Sequence, residues 1–196
     1  MMRRRPTNVR NARGLLSFLK GNDGAAAAEL MLWLTVFTVP VLSVVDLAVY
    51  AVKVMAVQTA AQQGVEAARK ACGFSAVPIT SASNCTQATM TGAVTTGVQG
   101  TSLGSTVSVS SGYPAEQYYC VNSSGTLVGV GTAGTSGSPP TTSSNNCSSV
   151  VSGSSGAPGD YLKVKVTYAY SPTFPGISLA SALPTPITAT AWLRLQ

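Results

Sequence analysis

The side chains that could do chemistry in this 196-residue sequence are four cysteines and a few isolated acids. Cys72, Cys85, Cys120 and Cys147 show no Cys-x-x-Cys spacing, and the chain has no histidine. A zinc site would therefore need all four thiolates at irregular intervals, and disulfides in an oxidising compartment are the expected use. Of the three connectivities open to four cysteines, sequential pairing is favoured, Cys72 with Cys85 and Cys120 with Cys147. Each pair closes a short loop around a Gly/Ser-rich stretch with little core of its own, and closing about 15 residues contributes about 3 kcal/mol on the chain-entropy model. Asp46, Glu66, Glu116 and Asp160 are scattered, form no nucleophile–base arrangement, and accompany no phosphate-cradling glycine loop followed by lysine. No catalytic residue, metal or cofactor is expected. Two acids are placed differently, because Glu29 and Asp46 stand at the two ends of an apolar run.

Composition sets the surroundings in which those groups must work. The chain is 45% apolar but only 9% charged, too little to cover a soluble globule, whose designed surfaces carry about 25–35% charged side chains. Its net charge of +6 is local. Arg3, Arg4, Arg5, Arg10, Arg13 and Lys20 all precede Gly24, and the remainder is nearly neutral. Sparse aromatics argue against stacking on nucleic acid, so no nucleic-acid partner is expected. A basic leader ahead of an apolar stretch instead sets membrane orientation.

That stretch runs from Ala25 to Val52. Leu30 to Val45 carries no charge, and the flanks extend it to the roughly 20 residues that cross a bilayer core of about 30 Å. One transmembrane helix is expected over 25–52, with the leader 1–24 cytoplasmic and everything beyond Lys53 across the membrane. A Sec-type signal peptide would have a shorter apolar region and a clean small-x-small site, and a transit peptide would not place an acid so near the start of the run.

At the junction stands Gly24-Ala25-Ala26-Ala27-Ala28-Glu29, basic upstream and apolar downstream. A glutamate in a first helical turn complements the helix dipole by about 0.3–1 kcal/mol, but an ionisable side chain beside hydrocarbon needs a partner. The junction resembles a prepilin class III signal, cut after the glycine by a membrane-embedded aspartyl peptidase. The resemblance implies that Glu29 pairs with the free amine of Ala25 of a neighbouring subunit during assembly. The longer stretch GAAAAELMLWLTVFTVPVLSVVDLAVYAVKVMAVQTAAQQGVEAARKAC, Gly24 to Cys72, resembles the TadE-like family, minor pseudopilins of the tight-adherence (Flp-type) pilus. Glu29, Pro40, Asp46, Gln58 to Gln63, Gly64 and Arg69 take the family's places. The resemblance covers about 50 of the 196 residues, with an echo in VKVTYAYSPTFPGISLASALPTPITATAWLRL near the C-terminus. It departs from the pattern after the second acid, where Ala48 and Val49 replace the usual arginine and Lys53 is the nearest cation. The implied partners are the lipid bilayer, a prepilin peptidase, and other pilins or pseudopilins with their assembly platform.

The helix should continue unbroken over 53–72, since no proline occurs between Val41 and Val77. Val54, Val57, Ala61, Val65, Ala68 and Cys72 form one apolar stripe. Ala60, Gly64 and Ala68 repeat every fourth position, a spacing that lets helices approach closely; the stripe serves either the chain's own C-terminal domain or a neighbouring subunit. Residues 73–196 turn Ser/Thr/Gly-rich. A short helix is expected over Gln87–Val98, and alternation marks strands at Thr106–Ser110, Tyr161–Tyr168 and Ile187–Leu195. Pro172, Pro175, Pro184 and Pro186 impose an irregular connection between the last two. Its Phe174, Ile177, Leu179 and Leu183 should lie against the long helix or the membrane face. Residues 121–160 hold too little apolar bulk to offset ordering entropy, and a mobile loop is expected there, either a tolerated insertion or an adhesive or glycan-bearing surface.

The expectation is an α+β protein, with a long N-terminal helix followed by a small antiparallel head, and a non-enzymatic role as a TadE-like minor pseudopilin in a bacterial inner membrane with a periplasmic head. An unprocessed membrane-tethered adhesin or scaffold, or a pseudopilin of a related secretion system, are the alternatives.

Overall fold

The computed structural model describes residues 23–73, 77–81, 85–135, 138–142 and 144–195. The arginines and lysine of the leader lie outside the described residues. The fold is α+β, as the periodicities predict.

Helix α1 runs from Asp23 to Cys72, about 75 Å at 1.5 Å per residue. Pro40 lies inside it and cannot donate to the helical ladder. The hydroxyls of Thr35, Thr38 and Ser43 fold back onto the carbonyls of Met31, Leu34 and Val39, so no hydroxyl in this apolar stretch is left without an acceptor. Every residue from Ala25 to Val41 is exposed. The second half packs: Val57, Ala60, Ala61, Val65 and Ala68, at steps of three and four, are all buried.

Helix α2 spans Gln87–Gln99, where Thr86 caps it by accepting the N–H of Thr89. Met90, Val94 and Val98, one turn apart, face α1 and are fully buried. Five antiparallel strands follow: β1 (Val107–Val109), β2 (Ala115–Val121), β3 (Leu127–Thr135), β4 (Gly159–Tyr168) and β5 (Ile187–Arg194). β4 is the hub. β5 pairs along one edge from Tyr161 to Tyr168, while β2 and β1 share the other, β2 opposite Gly159–Lys163 and β1 opposite Val166–Tyr168; β3 adds outside β2. Leu162, Val164 and Val166 on the inner face of β4 close the core against α1 and α2. On the outer face the Lys163 ammonium sits 5.2 Å from the Tyr119 ring and 4.9 Å from that of Trp192, within cation–π range.

The sequence pattern located α2, β1, β4 and β5 but not β2 or β3. Residues 121–160, where a loop was expected, contain β3 and a short helical turn at Cys147–Ser149. β3 reads LVGVGTAGT, with too few apolar residues to alternate, and its order comes from elsewhere. It pairs with β2 at Leu127–Val130 and again at Gly134 and Thr135, either side of a register shift, and its Val130 joins Cys120, Cys147 and Val151 in a small second cluster. The turn into it is held by Asn122, whose side-chain oxygen accepts the N–H groups of Ser124 and Thr126. Both disulfides are sequential, Cys72–Cys85 and Cys120–Cys147. The first ties the top of α1 to the start of α2, and the second holds residues 144–151 against β2.

Candidate functional site

Three groups of residues carry the functional argument, and they lie at three heights along α1. At the foot, Gly24 and Ala25 are within the first helical residues and Glu29 is exposed one turn above them. Glu29 has no ion-pair or hydrogen-bond partner among the described residues. Around it Leu30, Met31, Leu32, Trp33 and Leu34 are all more than half exposed. α1 is, by length and composition, apolar enough to cross a membrane.

Twelve residues above the foot's last leucine, Asp46 sits differently from an acid facing hydrocarbon. It is fully buried. The connection between β4 and β5 folds over it, and its carboxyl oxygens accept the N–H groups of Thr173 at 3.0 Å and Phe174 at 3.2 Å. Tyr170 donates its hydroxyl to the Asp46 carbonyl, the Ser43 hydroxyl accepts the N–H of Leu179, and Tyr50 donates to the Pro184 carbonyl while its ring meets Tyr170 edge-on at 5.0 Å. The absence of an arginine close behind Asp46 thus has a structural counterpart: two backbone N–H groups supply the donors that a carboxylate needs. Asp46→Ala is expected to leave both part-buried donors without their acceptor, at about 1 kcal/mol for each hydrogen bond lost. Faster hydrogen exchange at Thr173 and Phe174 would register it, and unchanged exchange there would show that Asp46 does not hold the connection.

Higher again, Ala60, Gly64 and Ala68 are used by the chain itself. A Cβ on Gly64 would come within 2.7 Å of Val98 and 3.2 Å of Val164, so the small-residue stripe receives α2 and β4. Of the two uses the spacing left open, packing on the chain's own domain is the one realised.

One arrangement escaped the sequence reading. Glu116 on β2 and Asp160 on β4, both taken there as scattered acids, occupy neighbouring positions on the inner face of the sheet, Glu116 opposite Leu162 and Asp160 opposite Tyr118. Glu116 is fully buried and accepts the N–H groups of Ile79 and Thr80 and the Thr80 hydroxyl. Asp160, 2% exposed, has no hydrogen-bond donor for either carboxyl oxygen among the described residues. Burial first, and then the adjoining Glu116, push its carboxyl up to about 8. That shift favours the protonated form of Asp160 at neutral pH. The signal was present in the sequence, since Asp160 shares the parity of Leu162, Val164 and Val166 and so had to point inward. Through Glu116 the pair holds residues 79–80 against the sheet.

No family model, curated protein or solved structure matches this chain.

Proposed function

We propose that this protein is a bitopic, TadE-like minor pseudopilin, a non-enzymatic component that assists assembly of a tight-adherence pilus. In this reading the prepilin peptidase cuts between Gly24 and Ala25, the leader stays cytoplasmic, and α1 anchors the chain in the bacterial inner membrane with its disulfide-bonded head in the periplasm. The observation that carries it is Glu29: an exposed acid without a partner among the described residues, on a bare apolar helix, five residues after the glycine of a basic leader. A charge at that depth calls for a partner from outside the chain, and the amine freed at Ala25 of a neighbouring subunit has the right sign and height. The contrast with Asp46 supports this, because the second acid accepts two backbone N–H groups and the first has no partner among the described residues.

N-terminal sequencing of membrane-extracted protein tests the proposal. A chain beginning at Ala25 is expected, and Gly24→Leu should abolish that species. Glu29→Ala should leave cleavage intact and abolish co-purification with the pilin subunits. A mature chain that still begins at Met1 or Met2 would refute processing and favour a membrane-tethered adhesin or scaffold.

A further inference from the structure

We propose that the connection between β4 and β5, residues 169–186, is a second membrane contact: a wedge that seats Leu179 and Ile177 in the headgroup-to-acyl boundary of the leaflet from which the head emerges. The proposal rests on the membrane-spanning reading of α1 and adds where the bilayer surface falls on the head.

The first observation is exposure. Leu179 is 70% exposed and Ile177 53% exposed, although the connection is tied to α1 by the backbone hydrogen bonds of Thr173, Phe174 and Leu179. These apolar side chains are held outward while their backbone is fixed. The second is charge. From Val166 to Leu193 the sequence has no lysine, arginine, aspartate or glutamate, an interval that includes the whole connection. Charge-free runs also occur at 71–115 and 117–159; what sets the connection apart is that its exposed apolar side chains adjoin the exposed apolar band of α1.

The third is height. The contacts climb α1 in order: Leu179 at Ser43, Thr173, Phe174 and the Tyr170 hydroxyl at Asp46, the Tyr170 ring and Pro184 at Tyr50, and the Lys53 ammonium 5.6 Å from the Tyr168 ring. From Val41 the helix is bare down to Ala25, about 25 Å at 1.5 Å per residue, close to a hydrocarbon core of about 30 Å. Leu179 therefore sits where the bare segment ends. Tyr50 and Tyr170, about two turns higher, stand at the level where aromatic rings collect in the headgroup region, and Lys53 follows as the first cation. Val41, Val44, Val45 and Leu47, all exposed on α1 beside the connection, continue the same apolar band. A lipid surface covers such a band without shape complementarity, and its plane is set by the end of the bare helix and the tyrosine level together.

The test uses the full chain reconstituted in phosphatidylethanolamine/phosphatidylglycerol vesicles, with indole emission quenched by lipids brominated either just below the glycerol backbone or near the acyl terminus. Three single-tryptophan chains are compared: one keeping Trp33 with Trp192→Phe, one with Leu179→Trp, and one with Val128→Trp on β3, the last two carrying Trp33→Phe and Trp192→Phe. The indole introduced by Leu179→Trp is expected to lose emission to the shallow bromines and little to the deep ones, Trp33 to lose emission to the deep bromines, and the indole introduced by Val128→Trp to lose none. Ile177→Trp should repeat the Leu179→Trp pattern. If Trp33 is quenched but neither introduced indole in the connection is, the wedge is overturned while the membrane span stands. A blue-shifted yet unquenched indole at position 179 would assign the surface to a protein neighbour and equally overturn it. If Trp33 itself escapes quenching, α1 does not span and both readings fall.

Discussion

Gly97→Ala is expected to destabilise the head domain by about 1–3 kcal/mol, the usual cost of inserting a methyl group into a filled core, and Gly92→Ala five residues earlier on the same helix to stabilise it by about 0.5–1 kcal/mol. The opposite signs follow from what each new methyl group would meet. At Gly97 a Cβ would lie 2.6 Å from the Ala67 Cβ and 2.9 Å from the Gln63 carbonyl oxygen, both fixed to the backbone of α1, so no side chain can swing aside. The helices must separate, and the separation also opens the contacts of Val94 and Val98 with α1. At Gly92 no atom lies within 4 Å of the added carbon, and alanine simply restricts the unfolded chain and favours helix. Thermal unfolding of the full-length protein in detergent, followed by circular dichroism, measures both. Equal shifts in the two variants would mean that α1 and α2 do not pack at Gly97.

This helix pair shows what a single sequence discloses. The small residues at Ala60, Gly64 and Ala68 announce a close approach, and the 3- and 4-residue steps of Val54, Val57, Ala61 and Val65 announce which face is apolar. Neither says which surface will arrive. Gly97, the partner of that approach, reads in isolation as a weakness in a short helix. The same asymmetry holds in the sheet. β4 and β5 alternate cleanly because one face is buried on two helices, whereas β3 is covered by little and is kept in place by pairing with β2 and by the Cys120–Cys147 bond, constraints that periodicity does not encode. At the foot of the molecule Glu29 and Asp46 look alike in sequence, two acids bounding one apolar run. They differ in the fold because a segment about 125 residues further along the chain returns to donate hydrogen bonds to one of them.

Asp160→Asn is expected to stabilise the head by on the order of 1–3 kcal/mol at pH 7.5, the range associated with an unsatisfied buried polar group, and to remove a pH dependence that the wild-type domain should show. The unfolded chain ionises this carboxyl near 3.8, while the folded domain holds it protonated to about 8. Folding therefore takes up a proton between those values. The contribution of this group is greatest below about pH 4, declines as pH rises towards 8, and is level above that. Asparagine matches the shape of the protonated acid, keeps a donor to offer Glu116, and has nothing to ionise, so the decline should flatten. Glu116→Ala has the opposite expected effect. It strands the N–H groups of Ile79 and Thr80 and takes away the acceptor beside Asp160, so a loss of about 1–3 kcal/mol for each buried donor left unpaired is expected. Unfolding midpoints of the full-length protein in detergent between pH 4 and 9 separate the cases. A wild-type profile level across that window, together with an Asp160→Asn variant no more stable than wild type at pH 7.5, would show that Asp160 is ionised in the fold and that the buried pair shares no proton.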